Sequence, residues 1–232
     1  MEKPFAFSNR EFNAVRQKIR SLTGINLADS KDNMVYSRLS RRLRALKLTT
    51  FQAYLDYLDN HQGETEHFIN SLTTNLTSFF REAHHFEQLA EYLHVHPEPL
   101  RIWCTASSSG EEPYSIAMTC AEARGSLNTN VKIYASDIDS RMLERAKAGI
   151  YPIDQVEKLS LARRKRFFHR GTGSNAGKAR VADELRNSIY FFQQNLLAPQ
   201  YSLEPGLDIV FCRNVMIYFD KPTQEIILNR IV

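Results

Sequence analysis

Four short, nearly continuous apolar runs constrain this chain more than any other feature: "LRIWCTA" (100–106), "VKIYASD" (131–137), "IYFFQQN" (189–195) and "LDIVFCRN" (207–214). Each ends in polar residues, and helical periodicity fills most of the intervals. Runs of this length predict strands buried on both faces, the pattern of a parallel sheet covered by helices, so the expected fold class is α/β. In an open parallel sheet, ligands collect outside the carboxyl ends of the strands. The residues just past each run are therefore the candidates for chemistry.

The chain upstream reads differently. Phe12, Val15, Ile19 and Leu22 recur at helical spacing up to Gly24, Leu39, Leu43 and Leu46 form a second stripe, and Phe51, Tyr54, Leu55 and Leu58 a third behind a capping threonine. Further helices are expected over Glu64 to Leu72 and Ala83 to Tyr92. The expected organisation is an all-helical N-terminal domain over 1–90 and an α/β domain over 91–232, joined by the proline-punctuated "HVHPEPL". One insertion, about 163–190, has a glycine-rich centre between two mixed runs and reads as a β-hairpin projecting from the sheet. Its "GTGSNAGK" is not a phosphate loop. Three residues, not four, separate Gly173 from Gly177, and Ala179 stands where a magnesium-binding hydroxyl belongs.

Composition excludes several classes. With 43% apolar and 24% charged residues, no apolar run long enough for a span and no apolar signal core in "MEKPFAFSNREF", a cytoplasmic protein without membrane insertion is expected. Cys104, Cys120 and Cys212 are widely spaced in apolar contexts and read as reduced core residues. The histidines lack partners at zinc spacing, so no metal is expected. The net charge is only +4, but Arg38, Arg41, Arg42, Arg44 and Lys47 crowd one helix without an acid. Such a face suits an acidic partner. Nothing beside it reads nucleic acid.

The strand ends carry the chemical signal. After the first run come Ala106, Ser107, Ser108, Ser109 and Gly110, small enough to admit a ligand closely, and then Glu111 and Glu112 at a helix start. Acids there favour the helix dipole, but they would repel a pyrophosphate, and G-x-G-x-x-G is absent after Trp103. A nicotinamide-dependent oxidoreductase is therefore disfavoured. Asp137 ends the second run, where an acid can grip two ribose hydroxyls, while Asp139 reads as the cap of the next helix. Asn195 and Asn214 follow the third and fourth runs. Their amides could bind an adenine edge or a substrate carboxylate, or only tie loops together.

"NLTSFFRE" (75–82), "SSGEEPYSIA" (108–117), "ASDID" (135–139), "ERAKAGIY" (144–151), "NLL" (195–197) and "CRNVMIYFD" (212–220), in this order and spacing, resemble the CheR family of chemotaxis receptor glutamate methyltransferases. The resemblance covers nearly the whole chain. It implies a Rossmann-like class I methyltransferase sheet, S-adenosylmethionine as cofactor with S-adenosylhomocysteine as product, and methyl esterification of receptor glutamates. By resemblance, cofactor contacts fall on Asn75, Thr77, Arg81, Glu112, Asp137, Asn195, Leu196, Arg213 and Asn214. Arg81 and Tyr218 are expected to position the substrate. The partners implied are methyl-accepting receptors, through an acidic helical region meeting the Arg38 to Lys47 face and, in some members, through a C-terminal pentapeptide added to the hairpin. A monomer recruited to membrane receptors is expected. Since the family continues past this point with further strands, the last strands of the sheet are expected to be missing beyond Val232. A non-catalytic receptor-binding adaptor would keep the basic face and lose cofactor residues, yet every motif residue is present.

Overall fold

The computed structural model describes residues 4–231, so the outermost positions of the two expected domains lie outside it. Within this range the chain divides into two units. One comprises the residues up to Thr74 with Asn195–Gln200 and the residues from Asn214 on; the other comprises Asn75–Gln194 and Tyr201–Arg213.

The first unit is helical: α1 (Asn9–Thr23), α2 (Asp32–Ala45), α3 (Phe51–Asn60) and α4 (Gln62–Leu72). Ser8 and Glu11 form a capping box at the start of α1, and Gly24 ends it in the left-handed conformation, the two signals that local sequence carries best. The apolar stripes meet as Val15, Ile19, Val35, Leu39, Leu43, Phe51, Tyr54 and Phe68, each 1% exposed or less. A charge pair joins the half-buried Arg42 to the buried Glu64. Arg42 grips Glu64 through two bonds of 2.8 and 2.6 Å, and the Tyr54 hydroxyl donates to the same carboxylate at 2.9 Å.

The second unit starts with α5 (His84–Val95) and continues through β1 (Leu100–Cys104), α6 (Glu111–Ala123), β2 (Val131–Asp137) and α7 (Ser140–Ala148). Phe86, Leu89 and Leu93 of α5 belong to the same apolar cluster as Leu100, Ile102 and Ile133 of the sheet. The helical N-terminal domain therefore ends at Thr74, not near residue 90, because α5 spends its apolar face on the sheet. There follow β3 (Ile150–Pro152), α8 (Ile153–Val156), α9 (Leu161–Phe167), β4 (Phe168–Arg170), β5 (Lys178–Val181), α10 (Asp183–Asn187), β6 (Ile189–Gln193) and β7 (Ile209–Phe211).

The main sheet has the order β6-β2-β1-β7, all parallel, so all four apolar runs are strands as expected. The insertion contains the expected hairpin, β4 and β5, but not its expected attachment. It is no projection of the main sheet: β4 and β5 pair antiparallel, and β5 also pairs with β3, making a separate three-stranded sheet in the order β3-β5-β4. Its first strand is only three residues long, too short to show alternation. Trp103, 1% exposed near the end of β1, donates its indole N–H to the Ser136 hydroxyl at 3.0 Å, tying the ends of β1 and β2 together.

The polypeptide after β7 returns to the first unit, where α11 (Lys221–Ile231) closes the described chain. There the Asn26 N–H donates to the Tyr218 carbonyl at 2.7 Å, and Arg20 pairs with Asp220. A Cβ on Gly24 would lie 3.1 Å from Thr223 and 3.4 Å from Phe219.

Candidate functional site

Where β1 ends, the loop Ala106–Gly110 folds over the end of β2. The Ser107 N–H donates to the Ser136 carbonyl at 2.8 Å, and Gly110 N–H closes a turn onto Ser107 at 2.9 Å. Asp137 organises this turn. One carboxylate oxygen accepts the Ser108 N–H at 2.8 Å and the other accepts the Asp139 N–H at 2.9 Å. Each oxygen offers two lone pairs, so this bracing leaves acceptor capacity for hydroxyl groups. Burial pushes the Asp137 carboxyl up to about 6, against the lowering effect of those two N–H donors. Asp139, fully buried, caps α7 through the Arg141 N–H, pairs with the Arg141 guanidinium and accepts the Asn75 amide at 3.0 Å. Asn75 is thereby held beside the same loop, and its carbonyl accepts the Ser108 hydroxyl at 3.3 Å.

The two glutamates that open α6 part company. Glu111 accepts the Ser109 hydroxyl at 2.7 Å and is buried against its own helix start. Glu112 turns to the strand ends, meeting Arg213 at 2.7 Å and the Cys104 thiol at 3.3 Å. Burial raises the Glu112 carboxyl, and Arg213 is the main influence pulling it back. The same burial, with Glu112 adding to it, drives the Cys104 thiol well up and keeps it protonated.

Arg213 is a hub the sequence did not reveal. Besides Glu112 it reaches Glu82 at 3.3 Å and the Arg81 carbonyl, and its guanidinium lies 5.3 Å from the centre of the Phe86 ring. Its side chain was expected to contact the cofactor. Its guanidinium, 9% exposed, pairs with two carboxylates. Glu82 was given no role, although it ends the "NLTSFFRE" motif; only the pairing with a residue 131 positions later would have found it.

The segment Asn75–Glu82 forms no helix; α5 begins only at His84. Phe80 and Glu82 sit at φ 52° and 56°, a region that costs a bulky residue about 1–3 kcal/mol. Ser108 and Asn214, at 46° and 55°, share it, so four of the six such residues among the described ones fall on expected site motifs. Aromatic contacts hold the strained segment: Phe79 meets Tyr151 and Phe168 edge-on at 4.9 and 5.5 Å, and the Arg163 guanidinium lies 3.7 Å from the centre of the Phe80 ring. Arg81, 36% exposed at its side chain, donates one amino group to the Leu76 carbonyl at 3.0 Å. Thr77 is half-buried.

Asn75, Thr77, Arg81, Glu112, Asp137 and Arg213 thus belong to one unit. Asn195, Leu196, Asn214 and Tyr218 belong to the other. There the Asn195 amide donates to the Leu22 carbonyl and accepts the Leu197 N–H, at 2.8 and 2.9 Å, which favours its loop-tying alternative. Leu196 is buried, and Asn214 and Tyr218 are half-buried.

The basic face of α2 also needs correction. Arg38 donates to the Thr73 carbonyl at 2.6 Å, and Arg42 is paired with the buried Glu64. Both are turned inward by α4. Arg41, Arg44 and Lys47 are exposed. Among the described residues no helix is long and apolar enough to cross a membrane.

Comparison with known proteins agrees with this architecture. Residues 10–73 match the family description "CheR methyltransferase, all-alpha domain", and residues 75–232 match "CheR methyltransferase, SAM binding domain". The chain is 54% identical over 232 residues to chemotaxis protein methyltransferase 2 of Pseudomonas aeruginosa, covering 98% of this chain and 82% of that protein. It is 50% identical over 234 residues to the chemotaxis protein methyltransferase of Escherichia coli K12, covering all of this chain and 82% of the relative. The corresponding protein of Salmonella typhimurium is likewise 50% identical, with 81% of it covered.

Proposed function

The chain belongs to the CheR methyltransferase family, with S-adenosylmethionine as its cofactor, and from that premise we propose that it methylates glutamate carboxylates of chemotaxis receptors. The observation that carries the site assignment is the donor set at the ends of β1 and β2. Two acids, the buried Asp137 and the half-buried Glu112, flank a turn of small residues that has no phosphate cradle. That chemistry fits a ligand with free hydroxyls and a positive charge and does not fit a pyrophosphate.

When bound, the cofactor supplies an electrophilic methyl group on a cationic sulfur. Asp137 is assigned to the ribose hydroxyls, Glu112 to the adjoining polar groups, and Asn75 and Thr77 to the segment that flanks the turn. Asn195, Leu196 and Asn214 keep a cofactor role from the family motifs alone. The acceptor glutamate is already ionised at neutral pH, so no residue of this chain has to act as a strong base. What the chain must supply is orientation and exclusion of water, worth about 7–11 kcal/mol in favourable cases. Arg81 is assigned to orienting the acceptor carboxylate, since its planar fork still has donors beyond the one bonded to Leu76. Tyr218 has the same assignment from its motif. Titrating the protein with S-adenosylhomocysteine by calorimetry, followed by labelled methyl transfer to receptor membranes, tests the reading. No binding at millimolar ligand would sink it.

A pH dependence follows from Asp137. Its carboxyl, about 6 in the folded protein, lies above its ordinary 3.8. The folded state therefore holds the proton more tightly, and the stability this group contributes below pH 4 is lost as pH rises through 6. A ligand gripped by the carboxylate has the opposite preference. S-adenosylhomocysteine is expected to bind progressively more weakly below pH 6 and with constant affinity above pH 7, while Asp137→Asn binds weakly with a flat profile. Calorimetry between pH 5 and 8 checks both.

The acidic receptor helix is assigned to Arg41, Arg44 and Lys47, with Arg38 and Arg42 withdrawn to structural roles. Reversing the three exposed charges to glutamate is expected to raise the KM for receptor about tenfold, less so at high salt. Affinity for S-adenosylhomocysteine should stay within twofold. A receptor KM that does not move would remove this face from the docking site. For receptors that end in a recognition pentapeptide, the inserted sheet offers edge strands for addition of another strand.

A further inference from the structure

"ERAKAGIY" is the one motif of the chain to which no function has been attached. Its last residue, Tyr151, lies in β3 of the inserted sheet, paired with Ala179, and is 2% exposed. Its hydroxyl leaves that sheet altogether and donates to the Ser109 carbonyl, in the turn that follows β1, at 2.7 Å. The fit there is tight. A Cβ on Gly110 would come within 2.8 Å of the Tyr151 hydroxyl and 2.9 Å of the Ala146 Cβ, and Gly110 stands at φ 100°. Only glycine admits that conformation and that approach together. Burial, followed by the nearby Glu111 charge, drives the phenol well up, so it remains a hydrogen-bond donor at any working pH. The ring meets Phe79 edge-on, and Phe79 belongs to the strained segment that carries Asn75, Thr77 and Arg81.

We propose that Tyr151 is a positioning residue for the cofactor: from the inserted sheet its hydroxyl sets the Ser109 carbonyl and with it the Ser107–Gly110 turn, while its ring holds Phe79. The inserted sheet is then part of the cofactor site's support, and its order is linked to cofactor occupancy. The inference rests on placing the cofactor against the turn and Asp137.

Tyr114 supplies the control. Its hydroxyl makes the same kind of buried bond, donating to the Ala146 carbonyl at 2.7 Å, but to α7 and not to the turn. Removing either hydroxyl deletes a buried hydrogen bond, so both Tyr151→Phe and Tyr114→Phe should lower the melting temperature. Only Tyr151→Phe is expected to weaken S-adenosylhomocysteine, by about fivefold, and to raise the KM for S-adenosylmethionine similarly, with the receptor KM within twofold. Equal affinities in both variants and the parent, or equal losses in both variants, overturn the proposal. Should Tyr151→Phe not fold, amide exchange of the parent decides. Adding S-adenosylhomocysteine is expected to slow exchange at Ile150, Tyr151 and Lys178–Val181 together with the turn, and unchanged exchange at those residues overturns it. A parent protein without affinity for S-adenosylhomocysteine, or Asp137→Asn binding as tightly as the parent, would instead remove the cofactor placement and this inference with it.

Discussion

Arg81→Ala is expected to cut kcat/KM for methyl transfer to receptor about 100-fold, with affinity for S-adenosylhomocysteine reduced far less. An ionised acceptor needs no deprotonation, so its alignment carries most of what the protein contributes, and a misplacement of about 1 Å is enough for a loss of this size. Arg81 is suited to the task because its head group is partly exposed yet latched on one side by the Leu76 carbonyl. Lysine at the same position should recover only part of the activity, since it keeps the charge but not the planar fork. Labelled transfer to receptor membranes, at saturating cofactor, reads the effect. A variant with more than a tenth of the parent activity would end the assignment.

The second large effect is on stability. Arg213→Ala leaves Glu112, only 12% exposed, without its counter-charge, and breaking a buried pair on one side costs about 3–5 kcal/mol. Glu82 adds less, being 39% exposed and better solvated. Urea unfolding at pH 7.5 should show the loss. At pH 5 the loss should shrink, because burial raises the Glu112 carboxyl and an uncompensated Glu112 takes up a proton. An unchanged unfolding midpoint at both pH values would mean that Arg213 contributes nothing through this pair.

Legibility from sequence followed the range of the forces involved. The four apolar runs became the four parallel strands, Asp137 ends β2 and Glu112 lies in the first turn of α6, because a strand-to-turn-to-helix junction is written in adjacent residues. The turn of small residues was readable for the same reason. Arg213 was not, since its partners Glu112 and Glu82 lie 101 and 131 positions upstream and nothing local distinguishes a guanidinium that neutralises acids from one that meets a ligand. Periodicity put Arg38 and Arg42 on the polar side of α2, but how wide a helix's buried side becomes is decided by its neighbour. Here α4 brings Glu64 and the Thr73 carbonyl to them. The inserted sheet hid behind β3, whose three residues lie next to a helix end and carry no alternation. The Asn195 amide showed that a polar residue past a strand can serve the loop itself.

The position of Trp103 has a practical consequence. It is the chain's single tryptophan, and its indole N–H is bonded to Ser136, the residue before Asp137. Fluorescence excited at the red edge of protein absorption therefore originates at one point, next to the strand ends assigned to the cofactor. The molecule carries its own optical reporter there, and occupancy or loosening of that corner can be followed in unlabelled protein, in real time, without touching a residue of the site.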